Sequence, residues 1–253
     1  MTVTTTELGS ARVVSWDRQD RRNAWTRAVI EELADAIATA GADPAVRCIV
    51  ARGAGEHFSA GDDLFATAAA DRAEWELVVA AFQRLTRAAL QAPVPVVAVI
   101  DGVCIGGALE FAASCDLRVC TDRARFATPE VRIGLTATNA GTLLLPELVG
   151  ETAARRLLLT GEIVDVAWAQ ATGFATDVVA PGALDAHVVE LARSFDATSR
   201  TAVAETKAML NARFGALLEA ALEREEAVCI RLFDGDDARA GVGAFVERHG
   251  GAV

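Results

Sequence analysis

Between Pro93 and Cys120 the chain leaves little freedom of fold. Pro93 and Pro95 enclose a turn that releases the β-branched run Val96 to Ile100. A short, apolar, glycine-led segment, Gly106 to Ala113, then reads as a buried helix, and Leu117 to Cys120 resumes the sheet. Two apolar strands with a helix this hydrophobic between them require a sheet covered by helices. The same alternation starts earlier. Ala11 to Trp16 and Val46 to Arg52 read as strands flanking Thr26 to Ala40, where Val29, Ile30, Leu33 and Ile37 recur at helical spacing, and Glu74 to Leu90 repeats that pattern. Up to Gly150 the chain is α/β.

Beyond Gly150 the segments Thr152 to Leu159, Asp165 to Thr172, Leu184 to Phe195, Ala202 to Ala212, Leu217 to Leu232 and Asp236 to Arg248 scan as helices, interrupted by one strand, Ala175 to Val179. No Gly/Ser-rich linker separates the halves and no tandem repeat is visible. The expectation is one continuous domain, with residues 1–195 as the core and 196–253 as a helical region. A Leu- and Ala-rich helical tail of this kind often packs on a neighbouring subunit, so oligomerisation is expected.

The chain has 253 residues, and 24 Lys+Arg against 35 Asp+Glu give 24 − 35 = −11. A negative surface disfavours nucleic acid and anionic membranes as partners. Hydrophobic residues make up 52% of the sequence, ample for a core, and exclude intrinsic disorder. Five cysteines, Cys48, Cys104, Cys115, Cys120 and Cys229, sit mostly among apolar neighbours and read as reduced and buried. His57, His187 and His249 are dispersed, no zinc-type pair exists, and no metal site is expected. Met1 to Gly9 has neither a basic start nor an apolar run, and no apolar stretch is long enough to span a bilayer, so a cytoplasmic location is expected.

Glu110 lies inside the apolar helix, between Leu109 and Phe111. Burying a carboxylate there costs several kcal/mol unless it is paired or protonated. A structural pairing with Arg118, Arg123 or Arg125 is one answer; a functional acid is the other. Gly106 and Gly107 let the backbone approach a ligand closely where the strand gives way to the helix, whose first N–H groups favour developing negative charge, although tight helix–sheet packing also explains a Gly-Gly pair. Two further segments have similar ambiguity. His57-Phe58-Ser59-Ala60-Gly61-Asp62-Asp63-Leu64 suits a turn that presents a backbone N–H, or an ordinary Asx-capped turn. Glu130, after Pro129, is a second candidate acid or a common first-turn residue.

Taken in order, these segments resemble the crotonase (enoyl-CoA hydratase/isomerase) superfamily. The resemblance includes Arg22-Asn23-Ala24, the Phe58-Ser59-Ala60-Gly61 turn, Gly106-Gly107 with Glu110, Pro129-Glu130 with Gly134, Leu159-Thr160-Gly161-Glu162, and a tail from Asp237 to Phe245. Each motif is weak alone; the ordered set is specific. The resemblance implies a spiral of ββα repeats with a C-terminal helical trimerisation region, as a homotrimer or a hexamer built from two trimers. It implies an acyl-CoA substrate, with the backbone N–H groups of Asp62 and Gly107 forming an oxyanion hole and Glu110 and Glu130 handling protons. Coenzyme A enters as part of the substrate and no further cofactor is required. Arg21, Arg22, Ala60 and Gly61 would contact the CoA portion, with Arg248 as a further candidate; Leu64, Gly106, Leu135, Thr138 and Asn139 would border the acyl group.

Departures from the family pattern bear on the substrate. Ala137-Thr138-Asn139-Ala140-Gly141-Thr142 stands where many hydratases read Pro-Gly-Ala-Gly-Gly-Thr. Thr138 and Asn139 could hydrogen-bond a polar acyl group, or simply cap a turn. At the oxyanion position, Asp62 must turn its side chain away from the thioester oxygen. No Lys follows Leu64, where family members often carry one for CoA. The expected activity is enoyl-CoA hydration; double-bond isomerisation on the same scaffold and a non-catalytic binding protein are the alternatives.

Overall fold

In the computed structural model, which describes residues 2–250, the Thr-rich start of the chain is an edge strand. Strand β1 (Thr2–Leu8) pairs antiparallel with β2 (Ala11–Asp17). Successive Thr residues suit this position, because β-branched side chains fit a pleated surface. Helix α1 (Arg27–Ala42) crosses to β3 (Cys48–Gly53), and α2 (Leu64–Ala69) with α3 (Arg72–Gln91) leads to β4 (Val96–Ile100). There follow β5 (Val103–Ile105), α4 (Gly107–Ser114), β6 (Leu117–Thr121), β7 (Arg125–Ala127) and a 3-10 turn, Pro129–Ile133. Next come α5 (Gly141–Val149), α6 (Glu151–Thr160), β8 (Val164–Asp165), α7 (Val166–Ala171) and β9 (Asp177–Val179). Helices α8 (Leu184–Ser194), α9 (Arg200–Ala212), α10 (Gly215–Phe233) and α11 (Asp236–His249) complete the chain.

Six strands form the main sheet in the order β1-β2-β3-β4-β6-β9, parallel except for β1. Strands β5, β7 and β8 form a smaller second sheet. β4 is followed at once by β5, and β6 by β7, so each turn of chain visits the main sheet, then the second sheet, then a covering helix. This is the ββα spiral. Isolated bridges between Ser59 and Cys104, and between Trp25 and Asp62, bring the loops after β3 and β2 to the second sheet.

The uninterrupted apolar run of β4 has a simple cause. Its side chains alternate between two covered faces. Val96, Ala98 and Ile100 face the main core beneath α1, α3 and α4, while Val97 and Val99 join Val119 and the Leu184, Val188 and Ala192 side of α8. All five cysteines are buried and unpaired. Among the described residues no helix is long and apolar enough to cross a membrane.

Two local features shape the site. Leu64–Ala69 is helical because the Asp63 side chain accepts hydrogen bonds from the Phe65 and Ala66 N–H groups. The tail, in turn, docks on its own chain. Leu222, Cys229 and Ile230 of α10, with Ala238 and Val242 of α11, belong to the same hydrophobic cluster as the sheet. Helix α10 packs on α3 and α5, and α11 on α2 and the 3-10 turn. The tail therefore forms a wall around the motif residues.

Candidate active site

The loop after β3 is held so that one peptide N–H is left over. Trp25 donates its N–H to the Gly61 carbonyl at 2.7 Å and accepts from the Asp63 N–H at 2.8 Å. In a parallel bridge the residue between those two partners points its N–H the other way. That residue is Asp62, whose N–H has no protein acceptor among the described residues. Gly61 must be glycine: its φ is +84°, and a Cβ there would lie 2.5 Å from the Ile105 carbonyl oxygen. The Asp62 carboxyl turns back toward α2, where the Thr67 hydroxyl donates to it.

The second free N–H comes from α4. Gly106, the residue before the helix, has φ 62° and ψ −135°, a conformation open to glycine alone. Its own N–H is used by the Ala127 carbonyl at 2.9 Å. Gly107 opens the helix, so its N–H has no intrahelical acceptor and faces the same cleft as Asp62. The cleft, of about 70 Å³, is lined by Ala60, Asp62, Leu64, Gly106, Gly107, Glu130, Leu135 and Thr138, with Trp75 and Phe82 on its apolar side. A cavity of about 240 Å³ shares Glu130 and Thr136 with it and is lined further by Thr142, Pro146 and Leu158. A surface cavity of about 920 Å³ lies elsewhere, between Val149, Arg156, Ile163 and Trp168, and is lined by neither Glu110 nor Glu130.

One carboxyl group lies on the cleft wall and two more are buried behind it. Glu130 lies on its wall, and a Cβ on Gly106 would come within 2.9 Å of its Oε1. Glu110 is 1% exposed, and its Oε2 accepts from the N–H groups of Thr138 at 3.2 Å, Asn139 at 3.0 Å and Gly141 at 3.1 Å. It has no cationic partner among the described residues. Arg118 donates to the carbonyls of Phe174, Ala112 and Cys115, Arg123 pairs with Asp101 and Glu56, and Arg125 donates to the Ala124 carbonyl. The structural pairing weighed for Glu110 is therefore absent. The third group, Glu225 of α10, is 4% exposed and accepts from the Ala140 N–H at 2.7 Å and the Thr142 N–H at 2.8 Å.

Burial raises the proton affinity of all three, because each would carry its charge in a poorly solvated place. Glu110 is pushed well above the ordinary carboxylate range, first by burial and then by Glu225 and Glu130, against the opposing N–H groups of Asn139 and Thr138. Glu130 is pushed up to about 7 by burial, with Glu225 and Asp62 adding to it. Burial likewise takes Asp62 up to about 7. Acids whose charges act on one another titrate as a group.

The model of the enoyl-CoA hydratase/isomerase family matches residues 8–251. The chain belongs to that family. A crotonyl-CoA hydratase of Syntrophomonas wolfei is 30% identical over 233 residues, covering 92% of this chain and 90% of that protein. A putative enoyl-CoA hydratase of Thermus thermophilus is 31% identical over 245 residues, covering 96% of each. Among solved structures, an enoyl-CoA hydratase from Mycobacterium avium subsp. paratuberculosis superposes with a TM-score of 0.88 at 29% identity, covering 97% of this chain and 96% of that one. The crotonase fold and its C-terminal helical region follow from these likenesses together with the architecture above.

Within this enoyl-CoA hydratase/isomerase fold, Asp62, Gly107, Glu130, Ala60, Leu64, Gly106, Leu135 and Thr138 come together around one cleft. Asn139 does not join them. It is fully buried behind Glu110, and with its amide nitrogen turned to the carboxylate it donates to Glu110 Oε2 at 2.7 Å and Oε1 at 3.0 Å. Arg21 lies over the Phe65 ring, 4.6 Å from its centroid, while the Arg22 side chain is exposed and its carbonyl accepts from the Ala60 N–H at 3.0 Å. Arg248 is exposed on α11. Sequence reasoning missed Glu225. Its signal was present, since Leu222, Glu225 and Cys229 fall at helical spacing on one buried stripe, where an acid is out of place.

Proposed function

We propose that the chain is an enoyl-CoA hydratase, adding water reversibly across an α,β-unsaturated acyl-CoA thioester to give the 3-hydroxyacyl-CoA. The observation that carries this reading is two unpaired backbone N–H groups, of Asp62 and Gly107, facing one cleft with two carboxyl groups behind it. Attack at the β-carbon sends charge onto the thioester oxygen, and two fixed donors in a dry cleft stabilise that enolate; one such donor contributes about 3 kcal/mol in comparable sites. Glu110, as carboxylate, activates the water through the oxygen that the Thr138, Asn139 and Gly141 N–H groups leave free, and Glu130 delivers the proton to the α-carbon. Neighbouring anions repel, so one of the two acids is ionised while the other holds a proton. In dehydration the roles reverse. Arg21 and Arg22 supply the cations that CoA phosphates need on an acidic protein, and the cavity beyond Glu130 supplies room for acyl chains longer than crotonyl.

One observation favours a second reading. Only Glu130 of the two motif acids lies on the cleft wall, and a single carboxylate suffices to move a double bond. The deciding experiment follows loss of the conjugated thioester absorbance with crotonyl-CoA and a medium-chain 2-enoyl-CoA, for wild type, Glu110→Gln and Glu130→Gln, beside a 3-enoyl-CoA. Hydration lost in both variants supports the hydratase. Conversion of the 3-enoyl ester alone, dependent on Glu130 and indifferent to Glu110, would establish the isomerase instead.

A further inference from the structure

Five consecutive backbone N–H groups, Thr138 to Thr142, are all taken by carboxylates. Glu110 Oε2 accepts those of Thr138, Asn139 and Gly141, at 3.2, 3.0 and 3.1 Å. Glu225 accepts the other two, with its Oε2 2.7 Å from the Ala140 nitrogen and its Oε1 2.8 Å from the Thr142 nitrogen and 2.5 Å from the Thr142 hydroxyl. The segment passes between the acids. Its conformation is not one the chain would keep unaided, because Ala140 sits at φ 70°, in the left-handed region, without a glycine to excuse it. Gly141 is pressed against Glu110 so closely that a Cβ would lie 2.7 Å from Oε2.

We propose that Glu225 is a positioning residue for Glu110: from α10 it clamps the segment 138–142 in the conformation that turns three N–H groups onto Glu110 Oε2. The inference rests on Glu110 as the water-activating group. A carboxylate is suited to the clamp, since it offers acceptors only and each oxygen meets an N–H. A buried acid held merely for stability would ordinarily find a cation. Glu225 has none within salt-bridge distance among the described residues.

The clamp has an electrostatic consequence. The titratable groups that act on this cluster are Glu110 from α4, Glu130 from the 3-10 turn and Cys229 from α10 itself. From α3 the neutral Gln83 bonds to the Thr138 and Leu222 carbonyls, and Arg87 is engaged at the surface by Glu219. Among the described residues no cation pairs with Glu225 or Glu110, and the repulsion of Glu225 on Glu110 weighs more than either the Asn139 or the Thr138 N–H bond taken singly. Removing the Glu225 charge lowers the proton affinity of Glu110.

The test is Glu225→Gln, compared with wild type for kcat and KM across pH and by carbon-13 NMR titration of the Glu110 carboxyl, assigned through Glu110→Gln. We expect kcat to fall about tenfold or more with KM within about threefold, since a loosened segment misplaces the base without touching CoA. The Glu110 midpoint, and with it the acid limb of kcat/KM, should move to lower pH. A folded variant with unchanged kcat and an unchanged Glu110 midpoint overturns the proposal. Should the variant not fold, the wild-type titration decides: the Glu110 signal must inflect twice, once with Glu225, and a single inflection refutes the coupling. If wild type hydrates no enoyl-CoA, the hydratase reading fails, yet the midpoint shift still decides the role of Glu225.

Discussion

Trp25 bonds to the peptides on both sides of Asp62 and skips Asp62 itself, through its N–H to Gly61 and its carbonyl from Asp63. That offset leaves one N–H for a substrate. The Asp62 side chain, meanwhile, is free to face Thr67, so an acid is tolerated beside a site that must stabilise negative charge. It is tolerated at a cost that depends on pH.

The folded-state carboxyl of Asp62 is raised from 3.8 to about 7 by burial. Both states are protonated at low pH, so the cost is absent there; it grows as pH rises through that interval and is complete above it. Asp62→Asn, which keeps the backbone donor, should therefore be more stable than wild type by about 1–3 kcal/mol at pH 8, discounted for partial exposure, and equal to it below about pH 4. Denaturant midpoints at a series of pH values measure this. A difference that stays flat across pH contradicts it.

Gly106→Ala should impair both stability and turnover. The backbone there, at φ 62° and ψ −135°, is strained for any other residue, and the new methyl would meet Glu130 Oε1 at 2.9 Å. A loss of about 1–3 kcal/mol is expected from the backbone alone. Displacing Glu130 should lower kcat more than it raises KM, which steady-state kinetics on a folded preparation will show.

Arg118 is a structural cation. It is 5% exposed, donates to three main-chain carbonyls and lies over the Phe174 ring, 5.3 Å from its centroid. Arg118→Met would remove the guanidinium from the Phe174 and Cys115 carbonyls, while Ala112 keeps the Cys115 N–H, and should destabilise the protein by about 3 kcal/mol, the scale for breaking a buried polar network. Because Arg118 has no contact with Glu110, KM and the pH profile of the surviving folded enzyme should stay as in wild type.

Arg22→Ala should raise KM for a CoA thioester severalfold and leave kcat unchanged. The side chain is exposed, so its contribution is a screened attraction to phosphate. The difference between variant and wild type should shrink as salt is added. An effect on kcat, or none on KM at low ionic strength, would remove Arg22 from the CoA site.

Much of this protein was legible in its sequence. The runs Val96 to Ile100 and Leu117 to Cys120 became parallel strands with both faces buried, and the Gly106-Gly107 break opened α4 with Glu110 one turn inside. Period and composition carry that information because strands and helices are governed by neighbours in sequence. The short strands Val103–Ile105 and Arg125–Ala127, and the helix Gly141–Val149 with Pro146 inside it, were not. Three residues carry no period, and the N-terminus of that helix is capped by acids from α4 and α10 rather than by its own Ala140.

The sequence alone determined the α/β class, the order of the motifs and the anomaly of an acid in an apolar helix. It left open whether Glu110 paired with an arginine and whether Asn139 faced the substrate. Only the tertiary structure decided that three N–H groups and the Asn139 amide surround Glu110, that Glu225 arrives from the far end of the chain, and that Asp62 keeps a free N–H. The physical reason is that hydrogen-bond partners of this kind are main-chain groups. Every residue except proline offers the same N–H, so nothing in its side chain announces which carboxylate, from which distant element, will accept it.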